Sequence, residues 1–172
     1  MRQIPEKLIN FSAYLNGNEY LGAADLTLPN LESMTETLSG AGIAGEVDSP
    51  TLGHFSSMTT TINWRTVDRS AIRLLGQKSH AIDFRGSHQL YNSATGEYRP
   101  SGIRVTMKVM SKTGTLGNFA PASPTETSNE FEVSYIKIFM DGQEVLELDK
   151  FNFIFRVEGT DYLAEVRQQL GM

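Results

Sequence analysis

The chain has 172 residues, of which 40% are apolar, and a net charge of −5, enough for one soluble domain with its own core. It contains no cysteine, which excludes a disulfide framework and a thiolate metal site. Its 15 lysines and arginines are spread along the sequence, so no clustered basic face exists, and no measurable affinity for duplex DNA at physiological salt is expected.

The opening MRQIPEKLINF lacks the apolar segment of a signal peptide, and no run approaches the ~20 apolar residues that span a bilayer. The expectation is a protein made in a reducing cytoplasm without a membrane anchor. LINFSAYL and NEYLGAADLTL flank Asn16-Gly17, a pair that supplies the two positive φ angles of a type I′ hairpin turn. NLESMTETLSG reads two ways. Leu31, Met34 and Leu38 have helical spacing, whereas its Ser and Thr positions favour extended chain.

Gly40, Gly42 and Gly45 then spell G-x-G-x-x-G within GAGIAGEVDSPTLGH. A pyrophosphate loop needs a buried strand before it and a helix after it, so that helix N–H groups face the phosphates. Here polar residues precede, and Pro50 and Gly53 break any helix that follows. Glu46 and Asp48 would repel phosphate, and TTTINWR occupies the place of the acidic ribose ligand. The nucleotide reading fails. The stretch is long for a loop in a compact domain, and Ile43, Val47 and Leu52 are its few apolar anchors. It is either a floppy surface loop or an arm that orders against a partner.

MTTTINWR alternates Met58, Ile62 and Trp64 against Thr59, Thr61, Asn63 and Arg65, the pattern of a half-buried strand. TVDRSAIRLLG predicts a helix with Thr66 as N-cap, Asp68 in its first turn and Gly76 as its stop. KSHAIDFRG predicts a short strand. GIRVTMKVM alternates Ile103, Val105, Met107 and Val109 against Arg104, Thr106 and Lys108. GTLGNFAPASPTETSNE reads as an exposed loop, spanning about 113–129. FEVSYIKIFM and QEVLELDKFNFIFRV flank Asp141-Gly142, a second type I′ signal. The strand EFEVSYIKIFM starts with Phe131, Val133 and Tyr135 on one face, but Ile136 and Ile138 fall on the other. Its end is therefore expected to be apolar on both sides and covered by a helix or a neighbouring subunit. TDYLAEVRQQLG predicts a helix with Thr160 as N-cap, Leu163, Val166 and Leu170 on one face, and Gly171 as stop. The sum is one mainly β domain over residues 1–172, built from antiparallel sheet with minor helix.

No catalytic, cofactor or metal constellation stands out. His54, His80 and His88 are isolated, and Asp83 and Arg85 stand three residues from His80 and His88, not at the spacing of a helix-borne metal pair. No G-x-S-x-G elbow occurs, and Glu130 with Glu132, and Glu144 with Glu147, are spaced as solvated strand positions. Trp64 and the phenylalanines read as core. No enzyme activity, cofactor or metal is expected.

KLINF, the Asn-Gly hairpin, LGAADLTLPNLE, GAGIAGEVDSPTLGH and TINWR, together with YRPSGIRVTMK and ELDKFNFIFRVEGTDYL, resemble the major tail tube proteins of contractile-tailed bacteriophages and phage-tail-like bacteriocins. The resemblance covers nearly the whole chain. It implies an antiparallel β-sandwich or half-barrel with one or two flanking helices. Such subunits form a multi-subunit lumen β-barrel in hexameric rings, which stack into a hollow conduit inside a contractile sheath. It implies that residues about 40–54 are an inter-ring arm carrying Gly40, Gly42, Ile43, Gly45, Glu46, Val47, Asp48, Pro50 and Leu52. Arg104, Thr106 and Lys108, on a polar strand face, become candidates to line the lumen. The implied partners are further copies of the chain, the tail sheath protein, the tape measure protein and baseplate tube-initiator proteins, with DNA passing transiently and without specific binding. The implied location is a virion tail or phage-tail-like particle, made and assembled in the bacterial host cytoplasm. Roughly 24 strands at ~4.8 Å spacing and ~40° tilt enclose a barrel ~50 Å across, wide enough for duplex DNA. Two further readings are a ring-forming tube protein of a contractile secretion system and a small β-barrel enzyme or ligand carrier.

Overall fold

The computed structural model describes residues 2–172. Strand β1 (Gln3–Leu15) turns at Asn16-Gly17, with φ of 54° and 82°, into β2 (Glu19–Leu21). These are the left-handed angles that the type I′ turn requires. The rest of NEYLGAADLTL forms a separate short strand, β3 (Asp25–Thr27), which leaves β1 and pairs elsewhere. Strands β4 (Ser33–Ser39) and β5 (Glu46–Phe55) pair only with each other. Of the two readings of NLESMTETLSG, the extended one is correct. The expected arm is mostly strand, with Gly40 to Gly45 as its turn.

Next come β6 (Thr59–Trp64), helix α1 (Arg69–Arg73), β7 (His80–Asn92) and β8 (Glu97–Thr115). Then follow β9 (Thr127–Met140), β10 (Gln143–Asp149), β11 (Ile154–Val157), β12 (Thr160–Asp161) and helix α2 (Ala164–Leu170). QEVLELDKFNFIFRV is thus two strands, not one. Asp141 and Gly142, with φ of 48° and 81°, make the second type I′ turn as expected.

The main sheet is antiparallel and ordered β12-β11-β10-β9-β8-β7-β1-β2, with β6 paired to β9 and β3 to β6. Strand β9 serves two ladders. Its first half pairs with β6 and its second half with β10. That shared strand curls the sheet into a half-barrel around one core, which includes Trp64, Ile82, Met107, Val109, Phe131 and Val133. Period-2 alternation places these residues inward and Arg104, Thr106 and Lys108 outward. Thr60 also points inward, where its hydroxyl donates to the Thr27 carbonyl at 2.7 Å, satisfying a buried polar group.

Several expectations are corrected. β9 is not apolar on both faces. A bulge shifts the β8–β9 register between Lys108 and Val109: Lys108 faces Tyr135 and Val109 faces Val133, leaving Ser134 without a cross-strand partner. One extra residue reverses the alternation, so Phe131, Val133 and Ile136 are all buried in one core. No neighbour is needed to cover this strand. Thr66 is not a cap: Asp68 is, its carboxylate accepting from the Ala71 N–H at 2.8 Å, and α1 ends at Leu74 rather than Gly76. Thr160 is not a cap either. It lies in β12, and Leu163 precedes the first turn of α2, while Gly171 ends that helix at φ 74° as expected. Leu163 is buried but Leu170 is exposed. The exposed loop is residues 116–126, because Thr113–Thr115 extend β8 and Thr127–Asn129 begin β9. Trp64, Phe84 and Phe131 lie in the core with Phe11, Phe55 and Phe155 packed against it, whereas Phe119, 91% exposed, and Phe151 stand outside it.

Candidate functional site

Two projections stand outside the buried core. The first is the β4–β5 hairpin. Pairing of Leu38 with Val47, Glu36 with Ser49 and Thr37 with Asp48 sorts its residues onto two faces. One face holds Glu36, Leu38, Val47 and Ser49. The other holds Thr35, Thr37, Ser39, Glu46 and Asp48, with the Thr37 hydroxyl donating to Asp48 at 2.7 Å. The apolar side chains have nothing over them: Leu38 is 45% and Val47 53% exposed, and Met34 and Leu52 are exposed too. An isolated two-stranded hairpin is marginal in water. Only its base is anchored. Leu163 packs so closely on Gly53 that a Cβ there would lie 2.5 Å from its side chain. Phe55 meets Phe155 edge to face at 4.9 Å between centroids.

Gly40, Gly42 and Gly45 have φ of 129°, 92° and 105°, and a Cβ at each would meet nothing within 4 Å. The glycines serve the path of the turn within the subunit, and Ile43 sits exposed at its tip.

The second projection is the far end of β1, β7 and β8. β2 joins β1 only from Ala13, and β9 joins β8 only from Ile103. Residues 3–10 of β1 and 97–102 of β8 therefore each have one strand neighbour and one open edge. Pro5, Pro50 and Pro100, the prolines that lie inside strands, all fall on such one-sided stretches, including β5. Proline lacks the N–H that a strand paired on both sides must donate, and so belongs at an edge. Where this flap meets the body, Leu8, Phe11, Leu26, Leu28 and Ile103 line an open apolar groove of about 240 Å³.

A charged face lies on the outside of the main sheet, and it does bring Arg104, Thr106 and Lys108 together. Asp83 organises it. Its carboxylate, 4% exposed, accepts from Arg104 Nε at 2.8 Å, the Thr106 hydroxyl at 2.9 Å and Arg85 Nε at 3.0 Å. Burial pushes this carboxyl up, but the bonds from Arg104, Thr106 and Arg85 outweigh that and hold it below the usual carboxylate range. Lys108 sits over the Tyr135 ring at 5.3 Å. Burial, together with Glu147 and Glu144, pushes the Tyr135 hydroxyl up to about 12. Arg156 pairs with Glu147 at 2.8 Å and Lys137 with Glu144 at 3.4 Å. In the sequence Asp83 was noticed only beside His80. In a strand, residues three apart face opposite ways, and His80 instead lies buried with Nε2 3.1 Å from the Gly76 carbonyl.

Asp83→Asn is expected to cost about 1–2 kcal/mol at pH 7. The native carboxyl titrates below its unfolded value, so its ionised form adds stability above ~3.9, and that contribution disappears as pH falls through the lowered native value. Denaturant titrations of both chains should therefore converge below about pH 4. A gap that stayed constant down to pH 3 would show that the charge is not its source.

The family model for phage tail tube protein FII matches residues 5–171. The chain is 29% identical to the tail tube protein of Escherichia phage P2, across 98% of this chain and 99% of that one. It is 24% identical to the major tail tube protein of Serratia phage KSP20, across 98% of each. Among solved structures, the sheath/tube terminator of an extracellular contractile injection system in its extended state superposes with a TM-score of 0.53 at 13% identity. That match covers 79% of this chain and 97% of the other, and it shows a shared fold.

Proposed function

The chain belongs to the phage tail tube protein FII family, and from that membership we propose that it is the repeating subunit of the inner tube of a contractile tail. One observation carries the reading. A hairpin and a flap with open edges and uncovered apolar faces project from a body that has its own buried core. Such surfaces are aggregation hazards in a lone protein, and closure against copies removes them. On this reading the subunits form hexameric rings that stack into a hollow conduit, surrounded by the sheath protein. The tape measure and baseplate initiator proteins set its length and its start. The subunit is structural rather than enzymatic. It is made in the host cytoplasm and resides in the tail of the particle.

The hairpin tip, from Gly40 to Leu52, is the inter-ring arm of this proposal, and the Arg104–Thr106–Lys108 face borders the lumen. On that face Arg85 and Arg104 share Asp83, and Lys137 and Arg156 pair with Glu144 and Glu147. This pairing offsets part of the cationic charge, so a phosphate backbone is held less strongly than by unpaired cations, which suits a channel through which DNA slides.

Electron microscopy of the concentrated purified protein should show hollow rods or six-fold rings. A single species that sediments as a monomer at every concentration, without rings, would reject the tube reading.

A further inference from the structure

We infer that the apolar face of the β4–β5 hairpin seats on the open end of the core of a second copy, in the groove at Leu8, Leu26 and Leu28. The inference rests on the tube reading and names the receptor surface that the hairpin meets.

The groove is the unfinished end of the core layer. On the sheet face that carries Phe11 and Ile103, the register continues outward through a row of Leu8, His88 and Ser101 and then a row of Pro5, Leu90 and Arg99. Among the described residues Leu26 and Leu28 reach the nearer row, and His88, Leu90 and Ser101 are left half-exposed. Leu8 is 47% exposed, and Leu28 also faces solvent. A half-barrel can end its core this way only if another layer completes it.

The hairpin has the complementary character. Leu38 and Val47 form an uncovered apolar stripe, and Glu36 lies on the same face. From Leu28 to Phe55 the chain carries Glu32, Glu36, Glu46 and Asp48 and no lysine or arginine. The open rows of the flap carry Arg99. Neither Glu36 nor Arg99 has an ion-pair partner among the described residues, which include the ion pairs of the neighbouring charged face. Seating Leu38 and Val47 over Leu8 and Leu90 brings a carboxylate toward that guanidinium.

Stoichiometry favours a second copy over any other occupant. Each chain offers one hairpin and one groove, the hairpin is rooted at Gly53 against Leu163, and no residue of β4 or β5 lines its own chain's groove. A head-to-tail contact uses every hairpin and every groove once, and when it runs from one ring to the next it repeats along the stack without leaving an unused site inside it.

The absence of cysteine makes the contact directly testable. Leu8→Cys and Leu38→Cys both replace exposed side chains, so the double variant is expected to fold. Under mild oxidation of the concentrated protein it should give a ladder of disulfide-linked multimers on a non-reducing gel. Each single variant should give none, nor should Ile72→Cys with Leu38→Cys, in which the partner thiol sits on exposed α1. Glu36→Lys should raise the concentration at which stacked rods form about 3–5-fold, and adding Arg99→Glu should restore it. Rods without the ladder, or an equal ladder from the Ile72 pair, would overturn the docking while leaving the tube reading intact. Unsubstituted protein that forms no assemblies of any size would instead reject the tube reading.

Discussion

Replacing Thr37–Asp48 by Asn-Gly should leave a folded chain that no longer stacks into rods. Glu36 and Ser49 are cross-strand partners, so a two-residue type I′ turn can close the shortened hairpin between them. Every residue removed is exposed, and none belongs to the core. The melting temperature should stay within about 4 °C of the parent, the shift expected of ~1 kcal/mol in a domain of this size. Stacking should be lost outright, because the hairpin's apolar face and both of its free edges go with it. The boundaries matter. A deletion running from Gly40 to Gly53 would also remove the glycine on which Leu163 is seated, and would loosen α2 for a reason unrelated to assembly. Circular dichroism and negative-stain microscopy together decide the outcome. Rods from the shortened chain would remove the hairpin from the assembly, and an unfolded chain would make it part of the folding core.

The largest stability loss is expected at Trp64. Its side chain is 2% exposed, and its indole Nε1 donates to Asn129 Oδ1 at 2.7 Å. Asn129, also buried, passes the connection to α1 by donating to the Ala71 carbonyl at 3.3 Å. Trp64→Ala combines a large cavity with an orphaned buried amide and should cost about 4–6 kcal/mol. That is a large fraction of the ~5–15 kcal/mol typical of a whole domain, and it should lower the melting temperature by more than ~8 °C. Trp64→Phe keeps most of the volume but leaves the Asn129 carbonyl unpaired, and should cost about 1–3 kcal/mol. Equal losses for the two variants would show that the hydrogen bond, and not the volume, dominates. A shift under about 3 °C for Trp64→Ala would contradict the placement of this residue at the centre of the core.

What could be read from the chain was local chemistry. Asn16-Gly17 and Asp141-Gly142 announce their turns because few residue pairs tolerate two successive positive φ angles. The alternations in β6 and β8 announce their buried faces because a strand repeats every two residues. The absence of cysteine, which excludes disulfides and thiolate metal sites, is likewise plain from the composition. The family, too, was legible in long ordered strings.

Long-range geometry settled the rest. Ser134 looks like any strand residue, and it becomes a bulge only because β9 must serve β6 along one half and β10 along the other. Thr66 and Thr160 have the chemistry of caps, but pairing and packing set where each helix begins, and Asp68 or a preceding strand takes the place. Asp83 collects Arg85, Arg104 and Thr106 across two strands, a neighbourhood that spacing along the chain does not encode. The glycine-rich stretch reads as a loop because its strand partner, Ser33–Ser39, is itself ambiguous. Each of these outcomes depends on which segments meet in space, and that choice is made by burying a shared core, not by the preference of any short segment.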